Sequence, residues 1–253
     1  MMRLIKADFK KVLYLQSYRN FLLATLLLSI LFGITFLFTI DLTAGKDLTA
    51  LSNSEMIDIT LLGIDVTAIM FIIFTANFIS KEFSTGAIHT SLAITPLRQK
   101  YFISKAIFTT KLSFLVSILL TCMIVILDGI IITVNNMDGL IFNHGLFIKL
   151  IGAVMMPVFY SLLSMAGTFY TQSASGGITF ALGVMFIPAL IKMFSTTFSD
   201  VILPILPESS LQVFAEVNTN TINGSLINAI FILLLWTLIS NLLGFWRFKK
   251  SDF

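Results

Sequence analysis

A chain of 253 residues that is 57% hydrophobic and only 11% charged is too apolar for a soluble domain, since such domains are about 45–50% apolar and about 25% charged. The net charge is +3, but the lysines lie beside apolar segments, which favours membrane topology over nucleic-acid binding. The single cysteine, Cys122, excludes an intramolecular disulfide framework and a cysteine-cluster metal site.

Residues 1–20 alternate basic and apolar side chains. Apolar residues such as Leu4, Phe9 and Val12 recur at approximately helical spacing, with lysines between them. This pattern predicts an amphipathic helix in the headgroup layer of a membrane, where anionic lipids attract the lysines. The alternative is a basic flank that only sets the topology of the first span.

Six apolar runs follow along the chain. A helix needs about 20 apolar residues to cross about 30 Å of hydrocarbon, and these continuous runs lack the alternation of barrel strands. The sequence therefore predicts an all-α membrane protein that forms a single domain over residues 1–253. The predicted spans are 21–40, 59–80, 112–134, 150–170, 175–191 and 226–246, the fifth being interrupted by Pro188.

The orientation follows from the distribution of lysine and arginine. Of the 16 basic residues, 13 precede the first span, lie between the second and third, or follow the sixth. With six spans these three segments share one side, and a basic excess marks the cytoplasmic side. Both termini and the loop 81–106 are therefore predicted to be cytoplasmic.

The loop 81–106 is predicted to contain a short helix over residues 85–95. Ser84 and Thr85 are candidate N-caps, and Pro96 would end the helix. Ile88 and Leu92 give this helix an apolar face that could dock on another surface. The alternative is an ordinary basic loop.

The segment 195–225 is long for a connection between spans. It holds Pro204 and Pro207 among many apolar residues. Backbone at membrane depth must be covered by protein or water when it leaves the helix. The pattern predicts short broken helices that re-enter the outer leaflet.

The loop also carries a recognisable series of residues. In order these are Glu82, Thr85, Gly86, Leu92, Pro96, Arg98, Tyr101 and Lys105. The series resembles the loop region of ABC exporter permeases of the type-2 class. The basic N-terminus, six spans, re-entrant segment and FWRFKKSDF ending are also similar to that family. His89 and Thr90 depart from it, because an aliphatic pair is more usual there.

The resemblance implies that the loop includes a coupling helix, which contacts a separate ATP-hydrolysing subunit. It also implies that two such chains, identical or related, pair in the membrane. The residues expected to serve ATPase coupling are Glu82, Phe83, Thr85, Gly86, Ile88, Leu92, Pro96 and Arg98. The alternative for Glu82 is an ion pair with Lys81 or Arg98 on a hydrated surface.

No enzymatic constellation appears in the sequence. The phosphate-binding pattern G-x-x-x-x-G-K-[ST] does not occur, and the two histidines, His89 and His144, have no carboxylate or cysteine cluster nearby. We therefore expect no enzyme activity, no metal and no cofactor in this chain. ATP and Mg would be bound by the partner ATPase.

Two aspartates, Asp65 and Asp128, fall within predicted spans. A carboxylate near the bilayer centre costs about 2.5–3.5 kcal/mol on the insertion scale and usually faces a cavity or a partner. The pair could line one outer vestibule that attracts a cationic substrate. Alternatively, each reaches the interface or hydrogen-bonds a neighbouring helix. Met155 and Met185 could add an adaptable surface for an amphipathic ligand, or could simply pack or face lipid.

Together with the six spans and the charge pattern, the resemblance implies the transmembrane subunit of an ATP-driven exporter in a bacterial cytoplasmic membrane. Small permeases that it resembles serve peptide toxins, bacteriocins and drugs, so an amphipathic or cationic peptide is the expected substrate, exported as a toxin or for immunity. Expected partners are an ABC ATPase, a second permease chain and membrane lipids, but no nucleic acid. The alternatives are an exporter of drugs or lipid-like molecules, a scaffold that docks a cytoplasmic partner, and an ion-driven transporter.

Overall fold

The computed structural model of the chain describes residues 1–40, 51–94, 97–135, 143–194, 196–215 and 224–251. Within these ranges the regular structure is helical and no strand occurs. The all-α prediction is confirmed.

Eleven α-helices occupy the described ranges. In chain order they are α1 (Met2–Tyr14), α2 (Gln16–Phe38), α3 (Asn53–Leu61), α4 (Gly63–Ser84), α5 (Ala87–Ile94), α6 (Arg98–Val134), α7 (His144–Thr171), α8 (Ala174–Ile191), α9 (Thr196–Ile202), α10 (Pro207–Ala215) and α11 (Gly224–Lys250), with a 3-10 turn at Leu203–Ile205.

Six helical stretches in the described part of the chain are long and apolar enough to cross a membrane. They are α2, α6, α7, α8 and α11, and the stretch from Glu55 to Ser84 that α3 and α4 form together. Six such helices make the chain a multi-pass membrane protein. The prediction of six apolar helices of spanning length is confirmed, although several of them extend past the predicted bounds. The largest extension is in α6, which begins at Arg98 rather than at residue 112.

The basic N-terminal segment forms two helices instead of one. Leu15 lies between them in an extended conformation (φ −79°, ψ 114°), so α1 ends at Tyr14 and α2 begins at Gln16. In α1, Asp8 and Val12 are buried against the rest of the chain. The N-terminal helix is therefore attached to the bundle by one face.

Small residues bring α2 close to α3 and α4. A Cβ atom added at Gly33 would lie 2.6 Å from the carbonyl oxygen of Thr60. Ser29 and Thr67 share a buried hydrogen bond of 2.6 Å between their hydroxyl groups. Close backbone approach with hydroxyl hydrogen bonds is typical of helix packing in membranes.

An aromatic cluster fills the end of the bundle from which the connection between α4 and α6 emerges, here called the loop end. Its closest ring pairs are Phe102–Phe169, at 4.8 Å between centroids, and Phe78–Phe108, at 4.9 Å. Ile88 of α5 is buried in the same cluster. These contacts join α4, α5, α6 and α7 and surround the charged groups described next.

Candidate functional site

A buried charge cluster lies at the loop end, where α1, α4 and α6 meet. The Lys105 Nζ atom lies 2.8 Å from Glu82 Oε1 and 2.8 Å from Asp8 Oδ1. Lys11 Nζ lies 3.2 Å from the same Glu82 oxygen. The Tyr101 hydroxyl donates a hydrogen bond to the other Glu82 oxygen. Two cations and two carboxylates thus connect helices that are far apart in sequence.

The cluster is electrically neutral and largely removed from solvent. The side chains of Lys105, Glu82 and Asp8 are 4%, 7% and 8% exposed. Burial raises the pKa of the Asp8 carboxyl, and the neighbouring Lys105 ammonium only partly opposes this. The Lys105 ammonium also lies 5.2 Å from the centroid of the Phe78 ring, which is a cation–π contact. Buried ions in this environment are tolerated because each has an opposite partner.

The turn between α4 and α5 depends on one left-handed residue. Gly86 has φ +68°, a conformation that residues with a Cβ atom adopt at a cost. The Gly86 carbonyl accepts a hydrogen bond from the His89 N–H, which starts α5. Thr85 is exposed at this turn, whereas Ile88 is 1% exposed. The turn therefore presents a polar surface while α5 is held by its apolar face.

The start of α6 is attached to the C-terminal end of α11. Arg98 Nη1 lies 2.8 Å from the backbone oxygen of Lys249 and 2.6 Å from that of Ser251. The Gln172 side chain donates a hydrogen bond to the Ser251 hydroxyl. A guanidinium group at the last carbonyls of a helix satisfies backbone acceptors and complements the helix dipole. Both ends of the loop are thus fixed to the bundle.

The predicted coupling residues divide into two groups in this structure. Glu82 and Ile88 are buried within the chain, so neither side chain presents a surface to a partner in this conformation. The alternative interpretation of Glu82 is corrected as well, because its ionic partners are Lys105 and Lys11 in a buried cluster. Glu82 therefore positions the loop instead of forming its surface.

The remaining predicted coupling residues lie around the turn. Thr85 is exposed, Phe83 and Leu92 are half-buried against the aromatic cluster, and Arg98 contacts α11. Pro96 lies outside the described residues. The assignment of these residues to ATPase coupling stays a prediction.

Sequence reasoning missed the partners of Glu82. Asp8 and Lys105 are separated by 97 positions along the chain, so no local pattern joins them. One signal was present, because Asp8 is the single acidic residue in the first 40 positions, among basic residues. An isolated acid in a basic amphipathic helix indicates an intramolecular partner.

A second group of charges lines an acidic cavity at the opposite end of α4. The cavity has a volume of about 380 Å³ and lies among α3, α4, α7 and α10. Asp58, Asp65 and Glu208 line it together with one cation, Lys149, and apolar residues such as Leu61 and Met156. Three carboxylates and one ammonium group give the walls a negative balance when all are ionised.

Two of these carboxylates have defined partners. Asp58 is paired with Lys149, whose Nζ atom lies 2.7 Å from each carboxylate oxygen. Glu208 accepts a hydrogen bond of 2.6 Å from the Tyr160 hydroxyl. Burial raises the pKa of Glu208, and the hydrogen bond from Tyr160 opposes this shift. In the part of the chain that the structure describes, no group of three or more acidic, histidine or cysteine side chains could hold a metal ion.

The two aspartates predicted for a common vestibule occupy different environments. Asp65 lines the acidic cavity, whereas Asp128 does not and is fully buried. The Thr60 hydroxyl donates a hydrogen bond of 2.8 Å to Asp128 Oδ2. Asp128 therefore follows the alternative prediction, a hydrogen bond to a neighbouring helix. Its other oxygen, Oδ1, has no hydrogen-bond partner among the described residues.

The two methionines predicted to meet an amphipathic ligand do not line the acidic cavity. Met155 is exposed at the outside of α7. Met185 is half-buried and packs against the cluster that includes Tyr160 and Leu163. Met156, adjacent to Met155, lines the cavity instead.

Comparison of the chain with protein-family models gives no match, and comparison with curated proteins gives none either.

Proposed function

We propose that this chain is the transmembrane subunit of an ATP-driven ABC exporter that moves amphipathic or cationic peptides out of a bacterial cell, for toxin export or immunity. The chain supplies the pathway and no nucleotide site. A separate ATPase subunit binds ATP and Mg, and a second permease chain pairs with this one. The exposed turn between α4 and α5, within loop 81–106, is the surface that receives the ATPase.

The observation that carries this proposal is the attachment of the loop at both of its ends. At one end, Glu82 at the end of α4 joins α1 and α6 through Asp8 and Lys105. At the other end, Arg98 joins α6 to α11. A displacement of α5 is therefore transferred to several spans at once. A loop that only linked two spans would not need these contacts.

The proposed placement in the membrane follows from the charges. The loop and both termini face the cytoplasm, because a basic excess marks that side. Helix α1 lies along the cytoplasmic membrane surface, with Asp8 and Lys11 turned toward the bundle and the exposed Lys6 and Lys10 toward the headgroups. Helices α9 and α10 re-enter the membrane from outside, and α10 lies next to the acidic cavity.

The acidic cavity supports a cationic substrate. Asp65 has apolar neighbours, Ile64 and Met156, in the cavity wall. A carboxylate beside apolar surface suits a ligand that carries a positive charge on an apolar body. In the proposed cycle, ATP binding draws the two ATPase subunits together and moves α5, and the spans then close inward and open outward to release the peptide.

The first test asks what contacts the loop. A Thr85→Cys variant in a Cys122→Ser background carries one exposed thiol at the α4–α5 turn. Thiol crosslinking in native membranes is expected to join it to a protein with a nucleotide-binding motif. The matched control, Val201→Cys, places the thiol on α9, where Val201 is 66% exposed. Equal crosslinking from both positions contradicts the assignment of the loop.

The second test asks whether the complex transports. Proteoliposomes that hold the chain and the crosslinked ATPase should hydrolyse ATP faster when a cationic amphipathic peptide is added. ATPase binding without peptide-stimulated hydrolysis indicates a scaffold. Stimulation by neutral drugs or lipid-like molecules, but not by the peptide, assigns a different substrate class.

One observation favours a second candidate function, a transporter driven by an ion gradient. The acidic cavity lies next to the break between α3 and α4 at Leu62, and carboxylates beside an interrupted helix occur at ion sites of such transporters. A pH or sodium gradient would then drive substrate movement in liposomes that contain this chain alone. ATP-independent movement of this kind supports the second candidate over the exporter.

A further inference from the structure

A second cavity lies at the loop end of the bundle, between the first turns of α2 and the last turns of α4. It has a volume of about 400 Å³. Polar groups from Ser17, Asn77 and Lys81 line it together with the rings of Phe21 and Phe74. No carboxylate is among its lining residues, so Lys81 gives this basic cavity a net positive charge.

The Lys81 ammonium has no ion pair among the residues that the structure describes. Its nitrogen lies 5.9 Å from the centroid of the Tyr18 ring, which forms part of the wall. The adjacent carboxylate in the sequence, Glu82, is buried and satisfied by Lys105, Lys11 and Tyr101. The cation is therefore free to bind an anion that enters the cavity.

Backbone donors at the same place add to the positive potential. Helix α2 has no side chain that caps its N-terminus, and Ser17 in its first turn lines the cavity. The N-terminus of a long helix carries a partial positive charge and favours anions. Asn77 donates one amide hydrogen to the Ile73 carbonyl at 2.9 Å, which leaves its second amide hydrogen available.

The cavity changes from polar to apolar along the axis of α4. Phe74 precedes Lys81 by about two helical turns, which is about 10 Å. Phe21 contacts Phe74, with 5.7 Å between ring centroids. The charged part lies toward the loop, and the aromatic part lies toward the middle of the membrane-spanning stretch. A ligand with a charged phosphate and an apolar tail matches this order, whereas a free phosphate ion would use only the polar part.

From these observations we infer that the basic cavity binds the phosphate group of an anionic phospholipid, with the glycerol and the upper acyl chain against Phe21 and Phe74. The site is separate from the acidic cavity and from the exposed surface of the loop. It does not depend on the proposed export function, so each can fail without the other.

The test measures lipid binding by the purified full chain in detergent. The probes are fluorescent phosphatidylglycerol and fluorescent phosphatidylcholine with identical acyl chains. The variants are Lys81→Gln, Lys81→Arg and Lys100→Gln. Lys100 is exposed at the start of α6 and does not line the cavity. Lys100→Gln therefore removes the same charge as Lys81→Gln without altering the cavity. Because Lys81 is exposed as well, these variants are expected to fold.

The expected result is selective for charge and for position. Lys81→Gln should weaken phosphatidylglycerol binding by about fivefold, the loss of one ammonium–phosphate attraction at about 4 Å in a hydrated site. Lys81→Arg should restore that binding, and Lys100→Gln should change it by less than Lys81→Gln does. Phosphatidylcholine binding should change little in all three variants.

Three results would overturn the inference. If Lys81→Gln and Lys100→Gln weaken phosphatidylglycerol binding equally, the effect depends on net charge and not on the cavity. Equal affinity of the native chain for the two lipids removes the preference for an anionic headgroup. If inorganic phosphate displaces phosphatidylglycerol at a concentration equal to that of the lipid, the apolar wall contributes nothing to binding. The cavity would then be a site for a free anion.

Discussion

The two ends of α4 carry cavities of similar size and opposite charge. The acidic cavity has a volume of about 380 Å³ and the basic cavity about 400 Å³. Asp65 lines the first and Lys81 the second, about 24 Å apart along a helix that rises 1.5 Å per residue. One helix therefore presents an anionic and a cationic site on opposite sides of its apolar middle.

The ends also differ in what holds them together. At the loop end, buried ions neutralise one another inside an aromatic shell, and Lys81 remains beside an open space. At the opposite end, glycine and hydroxyl contacts pack the helices closely, while the carboxylates line the cavity. The loop end is therefore held by buried charge pairs, whereas the opposite end is held mainly by close helix packing and exposes Asp58, Asp65 and Glu208 to a cavity.

The largest effect is expected at the loop end. Lys105→Met leaves Asp8 and Glu82 buried without their shared cation. Breaking a buried ion pair on one side costs about 3–5 kcal/mol. The unfolding free energy in detergent, measured by denaturant titration, should fall by this amount.

Two matched variants sharpen this prediction. Lys100→Met removes an exposed lysine of the same helix and should change stability little. Adding Asp8→Asn and Glu82→Gln to Lys105→Met should recover part of the loss, because neutral side chains are easier to bury. A Lys105→Met protein as stable as Lys100→Met would show that the cluster does not hold the loop end.

The next effect tests close packing at the opposite end. In Gly33→Val, the added side chain meets the Thr60 carbonyl, so α2 and α3 must separate. Overpacking of this kind costs about 1–3 kcal/mol. Gly183→Val is the control, because a Cβ atom there has nothing within 4 Å. Thermal unfolding of the two variants in detergent measures the difference, and equal midpoints would contradict the packing argument.

A smaller effect is expected at the turn before α5. Gly86→Ala places a Cβ atom in a left-handed conformation, which costs about 1–2 kcal/mol. Gly183→Ala lies inside α8, where alanine is favoured over glycine by about 0.5–1 kcal/mol. The two alanine substitutions should therefore shift the unfolding midpoint in opposite directions. A shift of the same sign would mean that the turn relaxes to another conformation.

The smallest effect separates the two aspartates. If the exporter proposal holds, Asp65→Asn should raise the peptide concentration for half-maximal stimulation of ATP hydrolysis roughly fivefold, or about 1 kcal/mol of Coulomb attraction in a hydrated site. Asp128→Asn should leave that concentration unchanged, because Asp128 is buried against Thr60. Equal effects of the two substitutions would place both carboxylates in the pathway.

The helices were largely predictable because long apolar runs leave few alternatives. Hydropathy detects the apolar part of a helix that would lie in the hydrocarbon core of a membrane. It does not detect polar turns of the same helix beyond that core. For this reason α6 begins well before residue 112: its first turns bury Tyr101 and Lys105, which a search for apolar runs passes over. The fifth span was predicted closely, and α8 continues through Pro188.

The site was less predictable than the fold. Glu82 was expected to contact an ATPase or to pair on a hydrated surface, but it is buried, and its partners in α1 and α6 follow from tertiary packing alone. Asp65 and Asp128 look alike in sequence, since each is a lone acid in an apolar run. Which one lines a cavity depends on the helices that pack around it. Local sequence patterns therefore identify unusual charged residues but do not predict which residues surround them in the fold.

The attachment of Ser251 to Arg98 and Gln172 has a practical consequence for labelling. A fluorescent protein or affinity tag fused after Ser251 would begin beside Arg98 at the start of α6. Such a fusion would lie close to the loop that the exporter proposal assigns to the ATPase. Reporters inserted near Val201 avoid this obstruction and leave the carboxyl-terminal contacts intact.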